Sequence, residues 1–437
     1  GDQLARLDAL RVIAPGSALR LKGRDEDLAE SARELGVRYV VDGMVRRSGA
    51  RLRVSARLVD TEQGEQLWSK RFDGTVDDVF AVEEAVARGV VEGLALNLTS
   101  DEDAVLARRP IEDVRAYDAY LRARHLAWSF SAESIAAAER HIDEALRIVG
   151  DNALLYGTMG HILAMAHEAG VSQGPATVAR IEGLADRVFA LEPDAPRGHW
   201  LRAFAAFQRA DMVTAVAAAG RALLAAPHDP DVLLLVGYVY SHVDRNAEAH
   251  RLFERAEAVD PLTPLTRCMP GFARAMDGDF AGALEPYRRF HEMDPHSPLS
   301  TVTYGWALDL AGHRAQAIEV FARGARDFPG SPFGAWASSM AHLLAGGSSL
   351  PEGLTPLEAA GQGSEMFART LAQVHALAGD VDRSLDWLAR AIDLGLWNEP
   401  FLARHDPYLE PLRGTARFED LMAGVRERLA ALPRSSG

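Results

Sequence analysis

The chain has 437 residues, of which 48% are hydrophobic and 25% charged, and a formal net charge of −15. That length exceeds one ordinary core, so two domains or an extended array are expected, and the acidity argues against nucleic acid as a partner through this region. Its single cysteine, Cys268, rules out a disulfide within the chain and any thiolate metal site. No apolar run reaches about 18 residues and no basic start precedes an apolar stretch, so the chain as written reads as cytoplasmic, or periplasmic if a membrane span precedes residue 1.

The first hundred residues carry their own rhythm. Leu10 to Ala14 reads as a short strand, and Asp25 to Leu35 as a helix closed by Gly36, which suits a left-handed cap. The period then falls to two. Val37 to Val45 is a buried run, Ser48-Gly49 sits where a hairpin turn belongs, and Leu52, Val54, Ala56 and Leu58 alternate with Arg51, Arg53, Ser55 and Arg57. A second turn at Gln63-Gly64 leads into a strand from Glu65 to Phe72. A helix from about Val76 to Leu96 follows, with Val79, Val82, Val86, Val90 and Leu94 at helical spacing. Strand, helix, three strands, helix describes an α/β sheet covered by helices on one face.

The stretches from Glu34 to Gly43 (ELGVRYVVDG), Val45 to Gly49 (VRRSG) and Gln66 to Ser69 (QLWS) carry a resemblance. Over residues 1–99 the chain is similar to the TolB amino-terminal-like, or FlgO-like, domain of bacterial signalling proteins. Members of that family begin with a further strand and helix. The resemblance therefore implies a sheet short of one strand, because the chain was cut from a longer protein or because another chain fills the edge. It carries over no catalytic residue.

Residues 100–110 are polar and acidic and read as a linker. Helical repeats follow over 111–397, first as less regular pairs, Glu112 to Leu126 with Ala132 to Val149, and Leu154 to Ala169 with Ala176 to Leu191. Then Pro193, Pro227, Pro261, Pro295 and Pro329 fall 34 residues apart (227−193, 261−227, 295−261, 329−295). In the same frame Ala203, Gly237, Gly271 and Gly305 are small, and Ala215, Ala249, Ala283 and Ala317 mark where two helices must cross closely. Phe253, Tyr287 and Phe321 come four residues after the last three of those alanines, and each terminal proline stops a helix. This frame resembles the tetratricopeptide repeat (TPR) family, in which each unit is a helix-turn-helix pair. Pro270 and Pro286 fall inside helices and predict a bend. Residues 398–437 read as an irregular segment followed by a capping helix. The fold class expected is an α+β sheet domain followed by an all-α right-handed solenoid of about seven helix pairs.

Phosphate loops, paired metal-spaced histidines and nucleophile elbows are absent in any usable context, so neither enzyme chemistry nor a cofactor or metal is expected. Two constellations point to binding. The fifth and ninth residues of successive first helices should line the concave groove: Trp200 and Phe204, Leu234 and Tyr238, Cys268 and Phe272, Val302 and Trp306. So aromatic a column suits an apolar or helical peptide, unless its rings are consumed by neighbouring helices, by the amino-terminal domain or by the terminal helix. Asparagine is confined to Asn97, Asn152, Asn246 and Asn398, which argues against the carboxylate-clamp subclass of the family. The second constellation is Arg51, Arg53 and Arg57, on one sheet face by alternation, with Arg46 and Arg47 across the turn; an anion platform and a plain exposed face are both open there. The resemblances imply a regulatory, protein-binding region of a bacterial signalling protein, with a cyclase, kinase or DNA-binding effector upstream. A sensor of a small anionic ligand on the sheet domain is the alternative.

Overall fold

The computed structural model describes residues 4, 7, 10–14, 17–18, 30, 32–33, 35–49, 51–75, 78–107, 109–127, 131–168, 171–172 and 174–433. The chain divides into two compact units, one of residues 1–172 with 190–192 and 258–262, the other of 173–189, 193–257 and 263–437.

In the first unit, β1 (Tyr39–Ser48), β2 (Arg51–Asp60) and β3 (Glu65–Thr75) form an antiparallel meander in the order β1-β2-β3. The turns fall where the sequence places them, at Gly49 and Gly64, whose φ of 62° and 71° lie in the left-handed region that glycine enters at little cost. Val54 lies between Val45 and Phe72, and Leu58 between Val41 and Trp68, so one face is apolar. Helix α1 (Val79–Gly93) covers the β2–β3 part of that face. It approaches closely because it carries glycine there: a Cβ on Gly89 would lie 2.1 Å from the Trp68 ring, and one on Gly93 would lie 2.8 Å from Leu58. Val41 and Val45 on β1 stay exposed.

Three expectations fail in this unit. Val37 to Val45, expected as a buried run, contains no buried residue, since α1 covers only the β2–β3 part of the sheet. Leu10 to Ala14 is irregular rather than a strand, since among the described residues the sheet holds three strands and none of them pairs with it. Ser100 to Ala107, read from its polarity as part of a linker, is a helix (α2). Its signal is a capping box: the Thr99 amide donates to Glu102 Oε2 at 2.9 Å and the Glu102 amide donates to Thr99 Oγ1 at 3.2 Å. Leu106 from α2 then closes a small core with Leu7, Ala87 and Val91. The helix expected over Asp25 to Leu35 falls largely outside the described residues.

The repeat helices run as pairs. Residues Val114–Ala127 (α3), Ala132–Val149 (α4) and Ala153–Glu168 (α5) belong to the first unit, and Pro175–Leu191 (α6) belongs chiefly to the second. The second unit continues with α7 (Pro196–Gln208), α8 (Met212–Ala225), α9 (Pro230–His242), α10 (Asn246–Val259), α11 (Pro264–Met276), α12 (Phe280–Met293), α13 (Pro298–Leu310) and α14 (Arg314–Asp327). It ends with α15 (Pro332–Leu344), α16 (Thr355–Gly361), α17 (Glu365–Leu377), α18 (Val381–Asp393) and α19 (Ala416–Ala430).

The 34-residue frame explains these boundaries. A proline opens α7, α9, α11, α13 and α15 at Pro196, Pro230, Pro264, Pro298 and Pro332, where its missing N–H is one that no helix would use. The turn inside each pair places one residue in the left-handed region, at Ala210, Asp244, Gly278, Gly312 and Gly346. The small positions are required by contact: a Cβ on Gly237 would lie 2.5 Å from the Phe253 ring, and on Gly305 3.0 Å from Phe321. Those rings are wholly buried. Gly271 likewise admits Pro286 and Tyr287, and α11 and α12 continue through Pro270 and Pro286. The chain is thus a small three-stranded sheet followed by a TPR-like solenoid.

Candidate functional site

The expected groove residues lie on α7, α9, α11 and α13 of the second unit. Trp200 and Phe204 stack at 5.6 Å with planes 9° apart, and the Trp200 Nε1–H donates to the Asp231 carbonyl at 2.9 Å. One repeat on, Tyr238 meets Phe272 at 5.4 Å, and Phe207 and His242 join them at ring separations between 4.4 and 5.7 Å. Leu234, Tyr238 and Phe272 are half-buried. Val302 and Trp306 are buried, with Tyr287 edge-on to Trp306 at 6.2 Å. Cys268 is also buried, and burial pushes its thiol far above the usual range.

What covers this face is the chain itself. Helix α17 presents Glu365, Arg369 and Gln373, four residues apart and therefore on one side, and all three are buried. The Tyr238 hydroxyl donates to Glu365 Oε1 at 3.0 Å, and His242 Nε2 lies 2.9 Å from the same oxygen. His242 Nδ1 faces the Tyr238 carbonyl at 2.8 Å. Burial raises the Glu365 carboxyl, but His242, Arg369 and the Tyr238 hydroxyl outweigh it and hold the group below the usual carboxylate range. The Arg369 guanidinium sits over Trp306 at 5.2 Å and over Phe401 at 5.9 Å.

Residues 397–412 complete the cover, as a π-helical turn at Phe401–His405 and a 3-10 turn at Pro407–Leu412. The Trp397 amide donates to the His242 carbonyl at 2.8 Å. Asn398 Nδ2 donates to the Ser241 carbonyl at 2.8 Å and to Asn246 Oδ1 at 2.9 Å, while its Oδ1 accepts from the Phe401 amide at 3.1 Å. The Tyr408 hydroxyl donates to Asp309 Oδ2 at 2.7 Å, and Arg314 Nε holds the other oxygen at 2.9 Å. Gln373 Nε2 donates to Asp406 Oδ2 at 2.7 Å. Reading the sequence missed these partners. The signal for them was the Glu365, Arg369, Gln373 stripe on a helix otherwise too apolar for a surface.

On the sheet the polar face is largely self-neutralised. Arg53 pairs with Asp73 across β2 and β3, and Arg57 donates to Asp42 Oδ2 through Nε at 3.0 Å and Nη2 at 2.7 Å. Arg51 lies in register with Ser48 and Thr75. An open depression of about 390 Å³ lies between α3 and α4, lined by Leu121, Arg122, His125, Leu126 and His141.

No family model matches the chain. It is 33% identical over 204 residues to a protein of Rhizobium meliloti named "Putative adenylate cyclase 3". The match takes in 46% of this chain and 35% of that relative, so the chain spans about a third of the relative's length. Among solved structures it is similar to a tetratricopeptide repeat protein from Parabacteroides merdae, with TM-score 0.37 and 10% identity, over 71% of this chain and 99% of that one. A thermophilic TPR protein of Thermus thermophilus gives TM-score 0.36 at 17% identity, over 44% of this chain and 98% of the other. Among the described residues no helix is long and apolar enough to cross a membrane.

Proposed function

We propose that this chain is a non-catalytic interaction and regulatory region of a bacterial signalling protein, and that it recognises polypeptide on the concave face formed by α7, α9, α11 and α13. The observation that carries this reading is what the face already holds. Around Tyr238, His242 and Trp306 it takes up a stretch of peptide chain by matched hydrogen bonds and ring contacts, the Asn398 carboxamide on Ser241 and the Tyr408 hydroxyl on Asp309 among them. A surface with that chemistry is suited to a partner peptide carrying a carboxamide and aromatic side chains. The likeness to the Rhizobium meliloti relative supports a nucleotide cyclase as the effector that such a region serves.

The test is capture from a lysate of the source organism with the wild-type chain and with Tyr238→Ala/Phe272→Ala, bound proteins being identified by mass spectrometry. A protein held by the wild type, lost from the double variant and retained by Arg53→Ala/Arg57→Ala supports the concave face. Capture lost only from the arginine variant moves recognition to the sheet. Identical sets on all three chains overturn the reading. Circular dichroism checks that each variant keeps its helix content.

A further inference from the structure

Two kinds of contact hold residues 395–412 in place. Toward the last repeat the contacts are mostly apolar: Phe401, Leu402, Leu409 and Leu412 are all buried, and the 407–412 turn packs on α17 and α18, with hydrogen bonds from Gln373 to Asp406 and from Trp397 Nε1 to the Ile392 carbonyl among them. Toward α9 and α13 the segment and α17 make a small set of hydrogen bonds. Asn398 meets Ser241 and Asn246, the Trp397 amide meets the His242 carbonyl, Tyr408 meets Asp309, and Glu365 meets Tyr238 and His242. The last repeat and this segment are thus joined to that face across a seam of hydrogen bonds and the close Glu365–His242 contact. Such seams open more readily than apolar cores, because water replaces most of what each hydrogen bond supplies.

We propose that α17, α18 and residues 395–412 form an autoinhibitory closure of the solenoid, which swings away from α9 and α13 to bare the aromatic face around Tyr238, Phe272 and Trp306. The proposal rests on the reading that this face binds polypeptide and adds its regulation: the internal occupant and the partner compete for one surface. Glu365 and Tyr408 are the two groups whose loss should loosen the closure without disturbing the repeat cores, since each reaches across the seam by a side-chain terminus. The partner favoured by the opened face carries the same chemistry as residues 397–408, a carboxamide beside an aromatic ring and a hydroxyl-bearing ring further along the chain.

The experiment is native-state hydrogen exchange on the full chain, wild type and Glu365→Gln/Tyr408→Phe, read by mass spectrometry. The closure predicts that amides of 397–408 and the first turn of α17 exchange at least about tenfold faster in the double variant, with α7, α8, α14 and α15 unchanged. Exchange of 397–408 that rises only together with α7 to α15, in both chains, makes the segment part of the cooperative core and overturns the proposal. So does exchange that the substitutions leave unmoved. A second arm adds a fluorescent synthetic peptide of residues 395–412 to each full chain. Tighter binding to the double variant by about tenfold supports competition for one surface, and equal binding to both chains contradicts it. Exchange needs no partner, so a closure that opens while lysate capture fails would sink the partner reading and leave the opening itself standing.

Discussion

The repeats from Pro196 to Asp327 and the segment from Gly395 to Leu412 obey different rules. In the repeats the helix-to-helix packing is made within about one period. A glycine admits a ring sixteen residues on, as Gly237 does Phe253, a proline opens each first helix, and the interlocking rings are apolar. In the segment the contacts that matter reach far along the chain and are polar: Asn398 reaches Ser241, 157 residues away, and Tyr408 reaches Asp309, 99 away. The first rule can be repeated from unit to unit. The second decides what remains of the face of α9, α11 and α13 for anything else.

Substitutions should separate the two regions by size of effect. Phe253→Ala removes a fully buried ring between α9 and α10 and should cost about 3–5 kcal/mol, read as the denaturant midpoint at constant slope. Gly237→Val drives two methyls into the same ring and should cost about 1–3 kcal/mol. Tyr408→Phe leaves Asp309 held by Arg314 alone and should cost only about 1 kcal/mol. If Tyr408→Phe proved as damaging as Phe253→Ala, the distinction between repeat core and seam would collapse.

Acid should act on the seam through Glu365. Glu365, faced by His242 and Tyr238 from α9 and by Arg369 from its own helix, is held below the usual carboxylate range. A lowered folded value means its contribution is complete above the ordinary carboxylate value and lost as pH falls through the lower one. The neighbouring Asp406 is raised by burial and shifts the other way, so protonation there relieves a cost as pH falls. The net prediction for wild type minus Glu365→Gln is a stability difference that shrinks below about pH 4, followed by tryptophan fluorescence of the Trp306 region. A difference independent of pH would mean that Glu365 acts through shape alone.

The smallest effect should be a gain. Ala210 occupies the left-handed turn position at φ 59° that Gly278 and Gly312 fill in later repeats. Ala210→Gly should therefore stabilise by up to about 1 kcal/mol, seen as a rise in Tm, and a loss of stability would show that the alanine is not strained.

Much of this architecture was legible in the residues because its causes are local. The 34-residue spacing of proline, small residue, alanine and ring located the helix pairs from Pro196 to Asp327, and alternation with Ser48-Gly49 and Gln63-Gly64 located the meander. The polar stretch at Ser100 is helical because the Thr99–Glu102 capping box outweighs its polar composition. Leu10 to Ala14 misled because an apolar run does not name its partner. The concave column was legible as a set of rings, but not its cover. Nothing in the period of α9 announces that Tyr238 will meet Glu365, 127 residues later; only the charged and amide stripe on an apolar α17 hinted at a buried polar partner.

The central claim is that the concave face is engaged by the chain's own last repeat, and a double-mutant cycle tests it most directly. Unfolding free energies of wild type, Tyr238→Phe, Glu365→Gln and the double variant isolate the coupling between a hydroxyl on α9 and a carboxylate on α17. The account predicts a favourable coupling of about 1 kcal/mol. Additive effects within error would mean the two side chains do not meet in solution, and the face would then stand open.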